Sequence, residues 1–317
     1  MCDVIGIGRP FMDFLVNVPH LPREKDELIP LLEMSWQGGG KVATALVAAA
    51  ELGCKAAFFG IAGADVYGRF LKEDFIYYGV DVSHMALEGR NAFSLVISEK
   101  ETFGRNIFPR ESVGRDILKS DIDVEMMSKY KYLHLESVDE TTLYAAEKMK
   151  EYGNKVAFDV DPSNWPMNDM MKYLDVFIGS EFCYRSLYSE DGDYAGNFRK
   201  IGDMGPEIVV FTFGGRGCGV LAGGSFKFVP AFDNVAVVDT VGCGDVFRGA
   251  YLSFLSKGFD PFKAAKYANA VSAIKCTRIG GRAGIPNFEE TESFIKTGTL
   301  DYTRIDAKVR RYENIRL

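Results

Sequence analysis

The stretch "VVDTVGCGDVFRGAYLSFLSKG", residues 237–258, carries the most information in the chain. Val246, Phe247, Ala250, Tyr251, Phe254 and Leu255 recur at helical spacing, Gly258 ends the run and Pro261 follows. Val237–Asp239 therefore reads as a strand end and Thr240–Gly244 as a tight turn. Asp245 falls in the first helical turn. A helix N-terminus carries unpaired N–H groups and a partial positive charge, so it attracts anions. Gly242, Cys243 and Gly244 are small enough to let an anion approach the backbone. An acid placed there is either a helix cap or a reactive group beside a bound phosphate.

Working outward, the same grammar repeats. "DVIGIG" (3–8), "AAFFGIAG" (56–63), "KYLHLES" (131–137), "KVAFDVD" (155–161), "DVFIGS" (175–180) and "EIVVFTFG" (207–214) are apolar, β-rich runs ending in small or polar residues. Helical patterns lie between them, at 43–52, 66–78, 139–152, 167–173 and 194–203. Strands alternating with helices predict an α/β fold with a parallel sheet wrapped by helices. Ligands in such folds sit at the carboxyl ends of the strands. Two regions break the alternation. Residues 14–37 carry strand-like pieces around a Pro-rich turn, and residues 92–108 read as a hairpin with a charged tip. Together they predict a small β-sheet lid over a core of residues 1–13, 38–91 and 109–317. The tail beyond about residue 300 is charged and weakly patterned.

Composition narrows the function classes. The 317 residues are 47% hydrophobic and 26% charged, which suits a soluble globular chain. A net charge of −7 with no Lys/Arg block argues against nucleic acid. No apolar stretch approaches membrane length, and the start "MCDVIGIG" does not read as a signal peptide. The six cysteines show no Cys-x-x-Cys spacing, so they read as reduced, in a cytoplasmic protein. With three histidines and no cysteine cluster, a structural zinc site is not expected.

Other motifs are weaker alone. "GIGRPF" has Phe11 where a dinucleotide fingerprint wants its third glycine, which disfavours a nicotinamide oxidoreductase. No Walker-type P-loop is present. "GGGKVATALVAAAELG" (38–53) opens a helix with three glycines and Lys41, groups suited to a polyhydroxy or anionic ligand. Asp13, taken alone, reads as a surface aspartate. Glu136 ends a strand, where a carboxylate can accept hydrogen bonds from hydroxyls.

The motifs taken together resemble the ribokinase, or PfkB-type, family of carbohydrate kinases. "DTVGCGDVFRGA" (239–250) looks like its C-terminal motif and "GGKVATALVAAAELG" (39–53) its N-terminal one. "GADVYGRFLKEDFIYYGVDVSHM", "VVFTFGGRGCGVL" and "ANAVSAIKCTRIGGRAGIP" match in order, and the likeness spans roughly residues 3 to 295. The resemblance implies a three-layer αβα core with a β-sheet lid, and phosphorylation of a sugar hydroxyl by ATP with Mg²⁺. Asp245 matches the catalytic base, and Gly242, Cys243 and Gly244 the anion hole. Asp13, Gly39, Gly40, Lys41, Thr44 and Glu136 match the sugar site. Ser180, Thr212, Gly214, Gly217 and Asn269 match nucleotide-binding positions. Asp239, Val241, Lys275, Arg278, Gly280 and Gly284 resemble, mostly through backbone, a monovalent-cation site, so activation by K⁺ is expected. A lid with an open β edge suggests a homodimer.

The chain also departs from the family pattern. Thr44 stands where Asn is usual, which changes the hydrogen bonds offered to a sugar. Ser180 and Cys183 replace both ends of an Asn-x-x-Glu motif that helps organise Mg²⁺ and phosphate. "KCTRIGGRAGIP" is close to the sulfofructose kinase group, yet "LHLESVDE" has no arginine to hold a sulfonate. A neutral sugar, ribose-like or a ketose, is the expected acceptor. The alternatives are a nucleoside or sulfosugar kinase, or a catalytically impaired binding protein on the same scaffold.

Overall fold

In the computed structural model, which describes residues 2–102, 104–189, 192–313 and 315, thirteen strands form two sheets. They are β1 (Cys2–Ile7), β2 (Phe11–Val18), β3 (Glu33–Gly39), β4 (Ala56–Ala62), β5 (Met85–Leu87), β6 (Ala92–Glu99) and β7 (Arg105–Arg110). Then follow β8 (Tyr130–Leu135), β9 (Lys155–Val160), β10 (Val176–Ser180), β11 (Ile208–Thr212), β12 (Cys218–Ala222) and β13 (Ser225–Val229). The large sheet has nine strands in the order β13-β12-β11-β10-β9-β8-β1-β4-β5. Pairing is parallel from β11 across to β5, while β12 and β13 add an antiparallel edge.

The apolar runs explain this layer. Parallel strands are covered on both faces, so their residues are apolar without a gap. Successive side chains go to opposite sides. On one side Val4, Phe58 and Val210 pack with Val42, Leu46, Val246, Phe254 and Val271, from the helices Lys41–Glu51, Cys243–Ser256 and Pro261–Lys275. On the other, Ile5, Phe158, Phe177 and Phe211 pack with Ala145, Met149, Phe198 and Ile201, from the helices Glu140–Glu151 and Tyr194–Gly202. The result is the three-layer α/β architecture expected from the alternation.

The second sheet has four strands in the order β3-β2-β6-β7. It starts earlier and ends later than the sequence pattern suggests. β2 begins at Phe11 and β3 ends at Gly39, so Asp13 and Gly39 belong to the small sheet, not to the core segments in which they were expected. The pattern at 167–173 shrinks to the single turn Asn168–Met171. The charged tail, in contrast, forms a helix, Thr303–Glu313. Many of its anchors are polar. Arg304 and Lys308 meet Glu51, while Arg311 and Tyr312 meet the buried Asp74, which also pairs with Arg282 at 2.8 Å. Ile305, Val309 and Tyr312, at helical spacing, also pack inward, so a short apolar stripe seats the same helix. Among the described residues, no helix is long and apolar enough to cross a membrane.

Candidate active site

A cavity of about 950 Å³ opens at the carboxyl ends of β1, β8, β9, β10 and β11, beneath the small sheet. Its wall includes Asp13, Gly39, Gly40, Lys41, Thr44, Glu136, Ser180, Thr212, Gly242, Gly244 and Asp245. Segments distant in sequence thus converge on one space, as the strand-end rule requires.

One end of the cavity is main chain. Gly242 precedes the helix Cys243–Ser256 with φ 72°, a left-handed conformation that suits glycine, and a Cβ there would lie 2.8 Å from Gly281 Cα. Asp245 sits in the first helical turn, as expected. Burial raises its pKa above the ordinary carboxylate value, against the opposing charges of Arg248, Lys41 and Arg105. Arg248 Nη1 lies 3.6 Å from Asp245, and Arg248 Nη2 meets the fully buried Asp159 at 2.6 Å.

The other end is side chain. Asp13 on β2 lies directly over the Cα of Gly39, and a Cβ at that position would overlap the carboxylate. Glu136 follows β8 and accepts from the backbone N–H of Arg9 at 3.3 Å and of Val42 at 3.4 Å. Gly8 makes room for it, since a Cβ there would lie 2.6 Å from Glu136 Oε1. Burial lifts Asp13 to about 7, with Arg282 and Ser94 opposing and Asp245 adding to the rise. Burial also lifts Glu136 to about 7, with Lys41 opposing and Asp159 adding to the rise. Lys41 opens the helix Lys41–Glu51 and pairs with Asp161. Burial pulls its pKa down, but Asp159 and Asp161 outweigh it and the net shift is upward.

Several expected site residues lie elsewhere. Cys243 N is spent on Thr240 O at 3.2 Å, and the Cys243 side chain is disulfide-bonded to Cys276, their Cα atoms 6.7 Å apart. The pair departs from the expectation that every cysteine is reduced; Cys54, Cys183 and Cys218 are free and buried. Asn269 is spent on the carbonyls of Val229 at 3.1 Å and Pro230 at 3.0 Å, where it ties the end of β13. Gly214 and Gly217 shape the turn between β11 and β12, and the cavity wall reaches only Thr212 before them.

The positions matched to a monovalent-cation site include a cation of the chain's own. Lys275 is fully buried, and its ammonium donates to Asp239 O at 3.0 Å and to Val241 O. Two oxygens of the expected cation site, those of Asp239 and Val241, are thus held by the chain's own cation. Arg278 points away, to Asp306 and the Tyr302 ring. Gly280 N donates to Asp239 Oδ2 at 2.8 Å, and Gly284 is packed against the backbone of Lys275.

The sequence reading missed Arg248, Asp159, Asp161, Ser94, Arg105 and Arg9, all in the cavity wall. Asp159 and Asp161 end "KVAFDVD", and the rule that singled out Glu136 applies equally to them. Arg248 stands one helical turn after Asp245, inside the quoted motif. Arg9 and Arg105 leave no local signal, because their place depends on how the two sheets meet.

A three-layer α/β core, a small sheet over its strand ends and an acid at a glycine-flanked helix start define a ribokinase-like kinase. The pfkB family carbohydrate kinase profile matches residues 1–287, and the chain belongs to that family. It is a phosphotransferase with an alcohol group as acceptor. The ribokinase of Haemophilus influenzae is 27% identical over 306 residues, covering 92% of this chain and 97% of that protein. The aminoimidazole riboside kinase of Salmonella typhimurium is 29% identical over 288 residues, covering 83% and 89%. The fold is shared with the Arabidopsis thaliana ribokinase solved with ribose and ATP, at a TM-score of 0.80 and 20% identity over 93% of this chain and 99% of that one.

Proposed function

We propose that this protein transfers the γ-phosphoryl group of ATP to a hydroxyl of a neutral sugar, ribose-like or a ketose, with Asp245 as general base. The observation that carries the reading is the shared cavity. A carboxylate on a helix N-terminus faces the same space as two buried carboxylates, Asp13 and Glu136, that can accept from vicinal hydroxyls. Asp245 takes the proton of the attacking hydroxyl. The amides at Gly242, Gly244 and Asp245 stabilise charge that develops on the transferring group. Base and donors belong to one turn, so both meet the same reacting atoms. Arg248, held by Asp159, fixes the charge beside Asp245. The small sheet acts as a lid that excludes water.

Mg²⁺ fits this donor set. Asp161 and Ser180 place hard oxygens in the cavity wall at the ends of adjacent strands, and Mg²⁺ is commonly held by one or two carboxylates plus substrate phosphates. Bound there, the ion would neutralise phosphate charge. Cys183 is buried outside the cavity wall, and its soft sulfur does not suit a hard cation.

A second reading, an anionic sugar as acceptor, is favoured by Arg105 in the cavity wall, whereas Arg9 there is paired with Asp116. ATP consumption over a panel of pentoses, ketoses, nucleosides and sulfonated or phosphorylated sugars separates the two. A neutral sugar is expected to give the highest kcat/KM. Preference for an anionic acceptor would overturn the neutral-sugar reading, and ATP turnover with none of them would overturn the kinase reading. Strand β7 is an edge, exposed along its length, and supports pairing of two lids; light scattering checks for the dimer.

A further inference from the structure

The buried ammonium of Lys275 sits behind the phosphate-facing turn. Lys275 ends the helix Pro261–Lys275 and is 0% exposed. Its Nζ has three partners: Asp239 O, Val241 O and, at 3.7 Å, Cys243 Sγ. An ammonium has three protons, so the set is complete. The carboxylate of Asp239 organises the same turn, accepting from Val241 N at 3.0 Å, Gly280 N at 2.8 Å and Ser98 Oγ at 3.2 Å on the small sheet. Carbonyls 239 and 241 point at the cation, while Gly242, Gly244 and Asp245 line the cavity on the other side. A fixed positive charge thus stands behind the amides, inside the protein, where it is poorly screened.

We infer that Lys275 is a tethered replacement for a monovalent cation, which makes the phosphate-facing turn independent of K⁺. The backbone oxygens are present, but they are already paired, so K⁺ does not fit beside Lys275. The lysine acts as a positioning residue: it holds the turn and contributes charge without touching substrate. The inference rests on the proposed kinase reading for its catalytic consequence, though not for its structural one.

The experiment has two readouts. Turnover of the purified protein is measured in K⁺, Na⁺ and tetramethylammonium salts, and melting temperature is followed in the same series. Wild type should show equal rates and equal melting in all three. Lys275→Ala should lose about tenfold in kcat, less than the loss of a donor in direct contact with the developing charge, with sugar KM little changed. K⁺ or NH₄⁺ should restore part of that rate and raise the melting temperature of this variant, while tetramethylammonium should do neither. Lys275→Met fills the same space without charge, so it should lose rate and gain nothing from any salt. A wild type that is faster or melts higher in K⁺ overturns the inference, as does a folded Lys275→Ala with full rate in tetramethylammonium. If Lys275→Ala does not fold, the wild-type series and Lys275→Met decide. If no sugar is phosphorylated in any salt, the kinase reading fails and melting alone decides the cation inference.

Discussion

The two ends of the cavity are made of different material. Around Thr240–Asp245 the wall is largely backbone, set by a glycine turn and a helix start and backed by Lys275. Around Asp13 and Glu136 it is side chain, delivered by strands from both sheets. Backbone amides do not depend on residue identity, so the first end suits a group common to every reaction, the phosphate. Carboxylates can be exchanged, so the second end suits the part that varies, the acceptor. The contrast predicts that damage at the first end appears in kcat and damage at the second in sugar affinity.

The sharpest way to break the contrast is Asp245→Asn. Asn keeps the shape and the place in the first helical turn, but it cannot take the hydroxyl proton. Loss of a general base costs about 10²–10⁴-fold, so kcat should fall by that factor with KM for sugar and ATP nearly intact. Circular dichroism checks the fold and a coupled assay the rate. A variant retaining more than about a tenth of the normal rate would remove Asp245 from the role of base.

At the other end, Asp13→Ala and Glu136→Ala should each weaken sugar binding, with ATP affinity unchanged. Every hydroxyl left unpaired costs about 1–3 kcal/mol. Calorimetry with both ligands measures the split. If both variants bind sugar like wild type, the acceptor does not lie at that end.

Two glycines sharpen the comparison further. Gly39→Ala places a methyl group on the Asp13 carboxylate and should displace it, weakening sugar binding by an overpacking cost of about 1–3 kcal/mol. Gly281→Ala, at the backbone end, meets only ordinary contacts, the nearest at 3.6 Å to the Thr44 side chain, and should lower sugar affinity less than Gly39→Ala does. Equal effects from the two substitutions would erase the distinction.

Legibility in sequence follows the same divide. The turn and helix at 237–258 are a local pattern, and their small residues and acid are adjacent in the chain. The buried strands are legible because both faces must be apolar. The contacts that complete the site are not local. Arg248 finds Asp159 only when β9 and the helix Cys243–Ser256 are brought together, and Lys275 meets Val241 only after the helix Pro261–Lys275 has packed. Motif matching put Lys275 in the correct place and missed its effect, because a backbone-matched cation site carries no sign of which cation fills it. The same limit hides the bonds of Asn269, whose Nδ2 donates to two carbonyls.

The smallest expected effect is on pH dependence, and it too separates the ends. Burial lifts Asp13 from 3.8 and Glu136 from 4.5, both to about 7. An ionised carboxylate accepts stronger hydrogen bonds than a neutral carboxyl, which still keeps one acceptor and gains a donor. Sugar affinity should therefore rise only a few-fold, on the order of one charge-assisted bond, as both groups ionise through pH 7. Stability of the unliganded protein runs the other way. Each raised acid holds its proton longer in the folded state, so its contribution is full below the unfolded value and lost as pH rises through about 7. Melting temperature should thus fall across the window in which sugar binding improves. Asp159, lifted to about 6 by burial against Arg248, adds to that fall at its lower end. Lys275 and Lys308, which burial pulls down to about 8, titrate above it. Calorimetry isolates sugar binding from turnover, to which Asp245 would contribute. The double variant Asp13→Asn with Glu136→Gln should flatten the binding profile and leave a shallower slope in the melting series, carried by the raised acids that remain, Asp159 and Asp245. A wild-type affinity independent of pH through 7 would mean that neither carboxylate binds the acceptor in its charged form.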